Sequence, residues 1–275
     1  MCETLKVSRS GYYDYLSRNI SKQAIRHEYI TQKASESYFQ SQGIYGYRKV
    51  HRDLLAEGIE CCAQTVRTIM SEIGLFSKRK RKYVTTTDSK HCYEPASNIL
   101  CRDFTAEEIN SKWVSDITYI PTKKGWLYLA VVIDLCSRRI VGWSMSDKIN
   151  CRLVIDALQM ALTHRQPDGS LIFHSDRGVQ YAAQDFQDML ENNNIICSMS
   201  RKGNCWDNAC SESFFASFKG EWIDGKDYQD HESAKKDIFK YIEMFYNNKR
   251  RHASLGYVSP AEYEKMRENK EQQAA

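Results

Sequence analysis

The feature that most limits the fold is a change of period at Lys112. From Ser21 to Phe76 there is no proline, and apolar residues recur at spacings of three and four, the signature of amphipathic helices. Beyond Lys112 the runs KWVSDITYIP, LYLAVVIDL and RIVGWSMSD are rich in β-branched and aromatic residues, with Lys123, Lys124 and Gly125 forming a turn between the first two. These predict three consecutive antiparallel strands. A helical stretch from Arg152 to Arg165 then leads to SLIFHSD, a short buried-type strand, and Asp185 to Asn193 followed by IICSMS repeats the helix-to-strand order. The resulting order is βββαβαβ, an α/β arrangement with a mixed five-stranded sheet and flanking helices. After the loop RKGNCWDNAC comes a helix to about Glu221, and a last long helix is expected from His231 to Asn247.

The front of the chain has a different character. Tyr47 to Glu57 reads as one helix, Gly58 and Ile59 as a turn, and Ala63 to Ile73 as the next helix, closed by Gly74: a helix-turn-helix outline in an all-α module. An ordinary three-helix packing module is the alternative reading. The adjoining residues favour DNA, because Lys78, Arg79, Lys80, Arg81 and Lys82 form an unbroken basic run suited to phosphate contacts. Residues 1 to 92 hold 16 Lys and Arg against 9 Asp and Glu, while the rest holds 23 against 26, so the positive charge is concentrated at the front. The expected organisation is an N-terminal segment (1–20), a helix-turn-helix module (21–76), a basic linker (77–105), a catalytic core (106–225), and a C-terminal helix with a basic tail (226–275).

No run approaches the roughly 20 apolar residues of a membrane helix, and the opening MCETLKVSRSGYYDYL lacks the apolar stretch of a secretion signal. A cytoplasmic, nucleoid-associated location without membrane contact is expected. The ten cysteines are scattered without a CxxC pair, so reduced thiols are the better reading, and His91, Cys92 and Cys101 lack the second ligand pair of a structural zinc site.

Three acids far apart in sequence stand out. Asp116 lies inside the first strand, where a carboxylate costs desolvation energy unless metal or a lysine compensates it. Asp176 falls just beyond the fourth strand, and Glu212, with 35 residues between it and Asp176, within the later helix. Spacing alone is weak, because acids are common. The segments KWVSDITYIP, FHSDRGVQY and SRKGNCWDNACSESFFASFK, however, resemble the three acidic motifs of DDE transposases of the retroviral-integrase superfamily, specifically the OrfB part of the IS-three family of bacterial insertion sequences. YGYRKVHRDLLAEGI resembles that family's helix-turn-helix segment, YLAVVIDLCSRRIVGWSMS its second and third strands, and YNNKRRHASLGYVSPAEYE its C-terminal signature, so nearly the whole chain is covered.

The resemblance implies an RNase H-like fold with Asp116, Asp176 and Glu212 as the catalytic, metal-holding triad, and with Lys219 matching a basic residue seven positions after the glutamate. Seven residues is just under two helical turns, which puts Glu212 and Lys219 on one face. Asn208 shares that face and His174 shares a strand face with Asp176, so either could orient a carboxylate; a satisfied core histidine is the plainer reading of His174. Hard carboxylate oxygens suit Mg²⁺, with Mn²⁺ substituting, and two ions are expected for phosphodiester chemistry. The implied activity is cleavage of DNA strands at insertion-sequence ends followed by strand transfer, without a covalent protein intermediate.

Lys219, Lys78 to Lys82, Arg250 and Arg251 are the candidate DNA contacts; Trp206 and Tyr181 are considered for base stacking against a core-packing alternative. Asp134 is read as a turn cap rather than a catalyst. The expected partners are double-stranded DNA, as terminal repeats and target, further copies of the chain on that DNA, and an OrfA part by fusion or association. Two rival functions remain: a nuclease that only hydrolyses, and a DNA-binding regulator of transposition without independent catalysis.

Overall fold

Helix α1 (Arg9–Ser17) begins where the Ser8 side chain accepts from the Gly11 amide, and α2 (Lys22–Gln40) begins in the same way, with Ser21 accepting from Ala24. The computed structural model describes residues 2–78, 96–167, 169–201 and 205–274, which fall into two units, Met1–Lys78 and Arg79–Ala275. In the first unit α3 (Tyr47–Ala56) and α4 (Ala63–Glu72) follow α2. The core is made by Ile30 and Ala34 of α2, Val50 and Leu54 of α3, and Val66, Ile69 and Met70 of α4, the three-and-four spacing seen in the sequence. Gly58 and Gly74 leave these last two helices with φ of +76° and +71°, where a side chain would be strained. The helix-turn-helix outline is therefore present. α1 has no counterpart among the sequence expectations and buries none of its residues. Arg79 to Lys82 and the stretch from Thr85 to Pro95 lie outside the described residues; Lys78 is tied back by its amide to the Gly43 carbonyl at 3.3 Å.

The second unit opens with the expected meander, β1 (Lys112–Thr122), β2 (Gly125–Asp134) and β3 (Ile140–Ser146). Then come α5 (Cys151–Arg165), β4 (Ile172–Ser175), the single turn α6 (Val179–Ala182), α7 (Gln184–Asn192) and β5 (Ile196–Met199). The sheet order is β3-β2-β1-β4-β5, antiparallel within the meander and parallel from β1 to β4 to β5, which makes this an α/β fold of the RNase H-like class. One sheet face packs Trp113, Ala130, Val132, Val141 and Phe173 against Leu153, Ala157 and Ala161 of α5 and Phe186 and Leu190 of α7. α5 approaches β3 so closely that a Cβ built on Gly142 would fall 2.2 Å from the Ala157 carbonyl oxygen.

The other face carries α8 (Ala209–Phe218), which continues into a wide π turn (Lys219–Ile223), and α9 (His231–Phe239), which continues likewise through Lys240–Tyr246. Phe214, Phe218, Trp222, Tyr241, Phe245 and Tyr246 interlock between them, with Tyr241 5.0 Å from Phe218 and 5.2 Å from Trp222. The tail is not a loose basic extension: α10 (Pro260–Ala274) follows, and its buried Glu264 receives Arg139 at 2.6 Å and Arg165 at 2.7 Å. The end of the expected linker is likewise part of the sheet unit, because Leu100 is buried and the amides of Ile99 and Leu100 donate to the Ser198 hydroxyl on β5.

Candidate active site

β1 and β4 run parallel, with Val114 opposite His174 as their last paired residues. Two residues further on, the strand pleat brings Asp116 and Asp176 level on the same side, just past the point where β4 ends. Each carboxylate is anchored by backbone: Asp116 Oδ1 accepts from the Ile117 amide at 2.8 Å, and Asp176 Oδ1 accepts from the Gly178 amide at 3.0 Å. Gly178 fits this turn because a Cβ there would meet Asp176 Oδ1 at 3.0 Å.

Electrostatics ties the acids together. Burial raises the Asp116 carboxyl well above the usual carboxylate range, the nearby Asp176 charge raises it further, and Glu212 adds in the same direction. On the opposite side of β1, the Tyr181 hydroxyl meets the Ser115 side chain at 2.8 Å; burial and the charges of both aspartates hold its phenol well above its ordinary value. Glu212, in the first turn of α8, is half-buried and raised by burial alone. Asp116 thus feels Asp176 more strongly than Glu212. Among the described residues no three His, Cys, Asp or Glu side chains already converge as a closed cage. The donor set nonetheless suits a divalent cation: all hard oxygens, partly desolvated and mutually repelling, so a positive charge between them would relieve the strain on Asp116.

Lys219 stands at the junction of α8 and the π turn. Burial lowers its ammonium, the Asp116 charge opposes that, and Nζ lies 4.6 Å from the centre of the Tyr119 ring. His174 is the satisfied core residue of the plainer reading. It is fully buried, Nδ1 meets the Ser198 hydroxyl at 2.8 Å, and Nε2 meets the Asp207 carbonyl oxygen at 3.0 Å. A carbonyl only accepts, so Nε2 carries the proton, and burial keeps the ring neutral by lowering its pKa. Asn208 is buried as the residue before α8, and its Oδ1 is an acceptor without a hydrogen-bond partner among the described residues.

Two expectations need correction. Arg250 is not a surface cation: it is buried, its guanidinium donates to Glu221 at 2.7 and 2.5 Å, and this pair joins the chain after α9 to the π turn that follows α8. A buried arginine whose charge is already met by Glu221 is not presented to a phosphate on the surface. Tyr181 is likewise a core residue and not a stacking surface, while the Trp206 side chain lies outside those described. Arg251 donates to the Tyr257 carbonyl at 2.8 Å. Asp134 behaves as the expected turn cap, accepting from the amides of Asn110 and Ser137 at 2.7 Å each.

One organising residue escaped the sequence reading. Asp207 is wholly inaccessible, and its carboxylate accepts from Asn98 (2.9 Å), Arg102 (2.8 Å), and the Arg201 side chain and amide (3.0 Å). It thereby clasps the chain entering the sheet, the end of β5 and the start of the Glu212 helix. Only its place in a polar loop six residues after Arg201 hinted at this.

Fold and acids define a protein of the integrase-core class, and family comparison agrees: an integrase core domain model matches residues 106–205, a second integrase core domain model matches 212–267, and an HTH-like domain matches 26–83. The chain is 41% identical over 266 residues to the transposase InsF for insertion sequence IS3A of Escherichia coli K12, covering 96% of this chain and 92% of that one. It is 38% identical, over all 275 residues of both, to the insertion element IS600 31 kDa protein of Shigella sonnei. The chain belongs to the IS3 family of transposases, enzymes of the DDE type. Among solved structures it resembles the Mos1 mariner transposase catalytic domain (TM-score 0.42, 16% identity, 48% of this chain and 70% of that one). It also resembles the HTLV-2 integrase catalytic core solved with magnesium (TM-score 0.36, 18% identity, 50% and 89%). Among the described residues no helix is long and apolar enough to cross a membrane.

Proposed function

We propose that this transposase cuts DNA at the ends of its insertion sequence and joins the exposed strand to target DNA, with Asp116, Asp176 and Glu212 holding divalent metal, Mg²⁺ or Mn²⁺. The observation that carries this reading is the level apposition of Asp116 and Asp176 at the end of β4, with Asp116 held well above its ordinary pKa by burial and by its acidic neighbours. Metal ions bound there would offset the charge developing on the phosphoryl oxygens and promote ionisation of the attacking hydroxyl.

The residues have separate tasks. The Ile117 and Gly178 amides each fix one oxygen of an aspartate and so orient the two carboxylates. Glu212 supplies the third carboxylate from the first turn of α8. Lys219, already coupled to Asp116, sets a positive charge beside the phosphate that the acids would otherwise repel. The module at 21–76 and the basic run Lys78 to Lys82 grip duplex DNA, the core at 106–225 performs the chemistry, and two DNA ends require more than one copy. Fusion or association with an OrfA part would supply recognition of the ends.

The test uses labelled insertion-sequence ends with and without Mg²⁺. Joined strands are expected from the wild type, and losses of about 10²–10³-fold or more from Asp116→Asn, Asp176→Asn and Glu212→Gln, the scale of removing an electrostatic stabiliser. Products that stop at free 3′ ends would identify a nuclease; an unchanged product pattern in the three variants would reduce the chain to a regulator.

A further inference from the structure

The strand that carries Asp116 continues outward past the site into an exposed, aromatic and basic hairpin end that none of the catalytic or DNA-gripping roles uses. Tyr119 and Trp126 sit on neighbouring strands, 39% and 51% exposed, with ring centres 4.9 Å apart and planes at 81°. Trp113 and Phe173 of the same sheet are fully buried, and an indole left half in solvent is a cost that core packing does not explain. Lys219 Nζ lies over the Tyr119 ring at 4.6 Å, and the turn beyond, Lys123 and Lys124, adds two more exposed cations. Lys219 caps the C-terminal end of α8, the helix that holds Glu212 in its first turn, and this ties the cluster to the acids.

We propose that Trp126, buttressed by Tyr119, is a stacking platform for an unpaired base of the DNA strand leaving the Asp116–Asp176 site; this rests on the reading of those acids as the cleavage centre. The edge-to-face contact braces the phenol against the indole, and Lys219 covers the phenol, so the indole is the ring presented to a ligand. Its chemistry selects a flat π surface attached to an anionic backbone: the ring accepts the base, and Lys124 and Lys219 supply positive charge for phosphates, while Lys123 is engaged by Asp227 at 3.3 Å and Gln229 at 3.0 Å. Distance fits as well. Tyr119 is three residues beyond Asp116, about 10 Å along an extended strand and on the opposite pleat, so a strand leaving the acids reaches it around the edge of β1 that β4 leaves unpaired beyond Val114. Stacking of this kind rewards a strand whose terminal pairs have opened, and would favour frayed ends over intact duplex.

The experiment compares binding of the full-length protein to a blunt duplex and to the same duplex with a short single-stranded 3′ tail carrying aminopurine, whose emission stacking quenches. The wild type should prefer the tailed duplex by about tenfold, the value of one stacked base, and quench the probe. Trp126→Leu should lose both effects while binding the blunt duplex as before, which also shows that it is folded, and Trp126→Phe should keep most of the preference. Asp116→Asn should abolish strand joining yet retain the tail preference. Joining without any tail preference, or a preference untouched by Trp126→Leu, overturns the platform while leaving the acids' role intact. Tail preference without joining in the wild type overturns the reading of the acids instead. Weakened self-association of Trp126→Leu with unchanged DNA binding would mean the rings meet another copy of the chain, and would also overturn the proposal.

Discussion

At the scale of single residues, the acids of the site are held where ionisation is unfavourable. Asp116 is raised by burial and by Asp176, and Glu212 by burial. A carboxyl whose pKa is higher in the folded than in the unfolded chain holds its proton more tightly when folded. Its contribution to stability is complete below the ordinary carboxylate range and is lost as pH rises through the raised value. Without metal the wild type should therefore lose thermal stability between mildly acidic and neutral pH through these groups, and Asp116→Asn should lose less. A thermal-shift series across that range, without and then with Mg²⁺, checks this. The variant should melt a few degrees higher at neutral pH, on the scale of about 2–4 °C per kcal/mol for a unit of this size, and respond less to Mg²⁺ than the wild type. Parallel pH profiles for the two proteins would refute the idea that Asp116 is the strained member. Asp207 pulls the other way, because Arg201 and Arg102 hold its carboxyl far below the usual range, so its support fades as pH falls.

At the scale of elements, the contact that fixes the site from behind is α5 on β3. Gly142 lets the helix backbone touch the strand, and a Cβ there would also lie 2.8 Å from Ala161. Gly142→Ala must lift α5 or bend β3, with a cost of about 1–3 kcal/mol or more; calorimetry should show a lower midpoint, and an unchanged midpoint would mean the two elements slide apart freely. The sequence disclosed most of this layer. The alternation in KWVSDITYIP, the βββαβαβ order and the glycines after α3 and α4 are local signals, and the elements obey them. Less legible were the partnerships made across long separations. Nothing local in YNNKRRH says that Arg250 will turn inward to Glu221 instead of joining its basic neighbours, because that depends on the aromatic packing of Tyr241 and Tyr246. For the same reason the acids could be named from their motifs, while the level placement of Asp116 and Asp176 required the register of β1 with β4.

At the scale of the whole molecule, charge is divided between regions with different tasks. The first 92 residues are basic and the remainder mildly acidic, a division that fits the proposed grip of the front on polyanionic DNA. If each cation of the run Lys78 to Lys82 releases a counterion from duplex DNA, replacing all five by alanine should flatten the dependence of log affinity on log salt by about 4.5, at roughly 0.9 per contact. Fluorescence anisotropy across a salt series measures it. An unaltered slope would remove the run from the DNA interface and leave its charge without a role in binding.

The length difference between β1 and β4 has a consequence for how this strand can change over time. β1 is eleven residues long, while its pairing with β4 ends at Val114. Up to Val114 the strand is paired on both edges; from Asp116 onward β4 no longer pairs with it, and while the β2 pairing and the buried Thr118 and Ile120 persist, Tyr119 faces solvent. Changes at Trp113 or Val114 should therefore appear as lost protein abundance, and changes at Tyr119 as altered choice among DNA ends in a protein that still accumulates. A single strand divided in this way lets preference drift at one end while the scaffold at the other stays fixed.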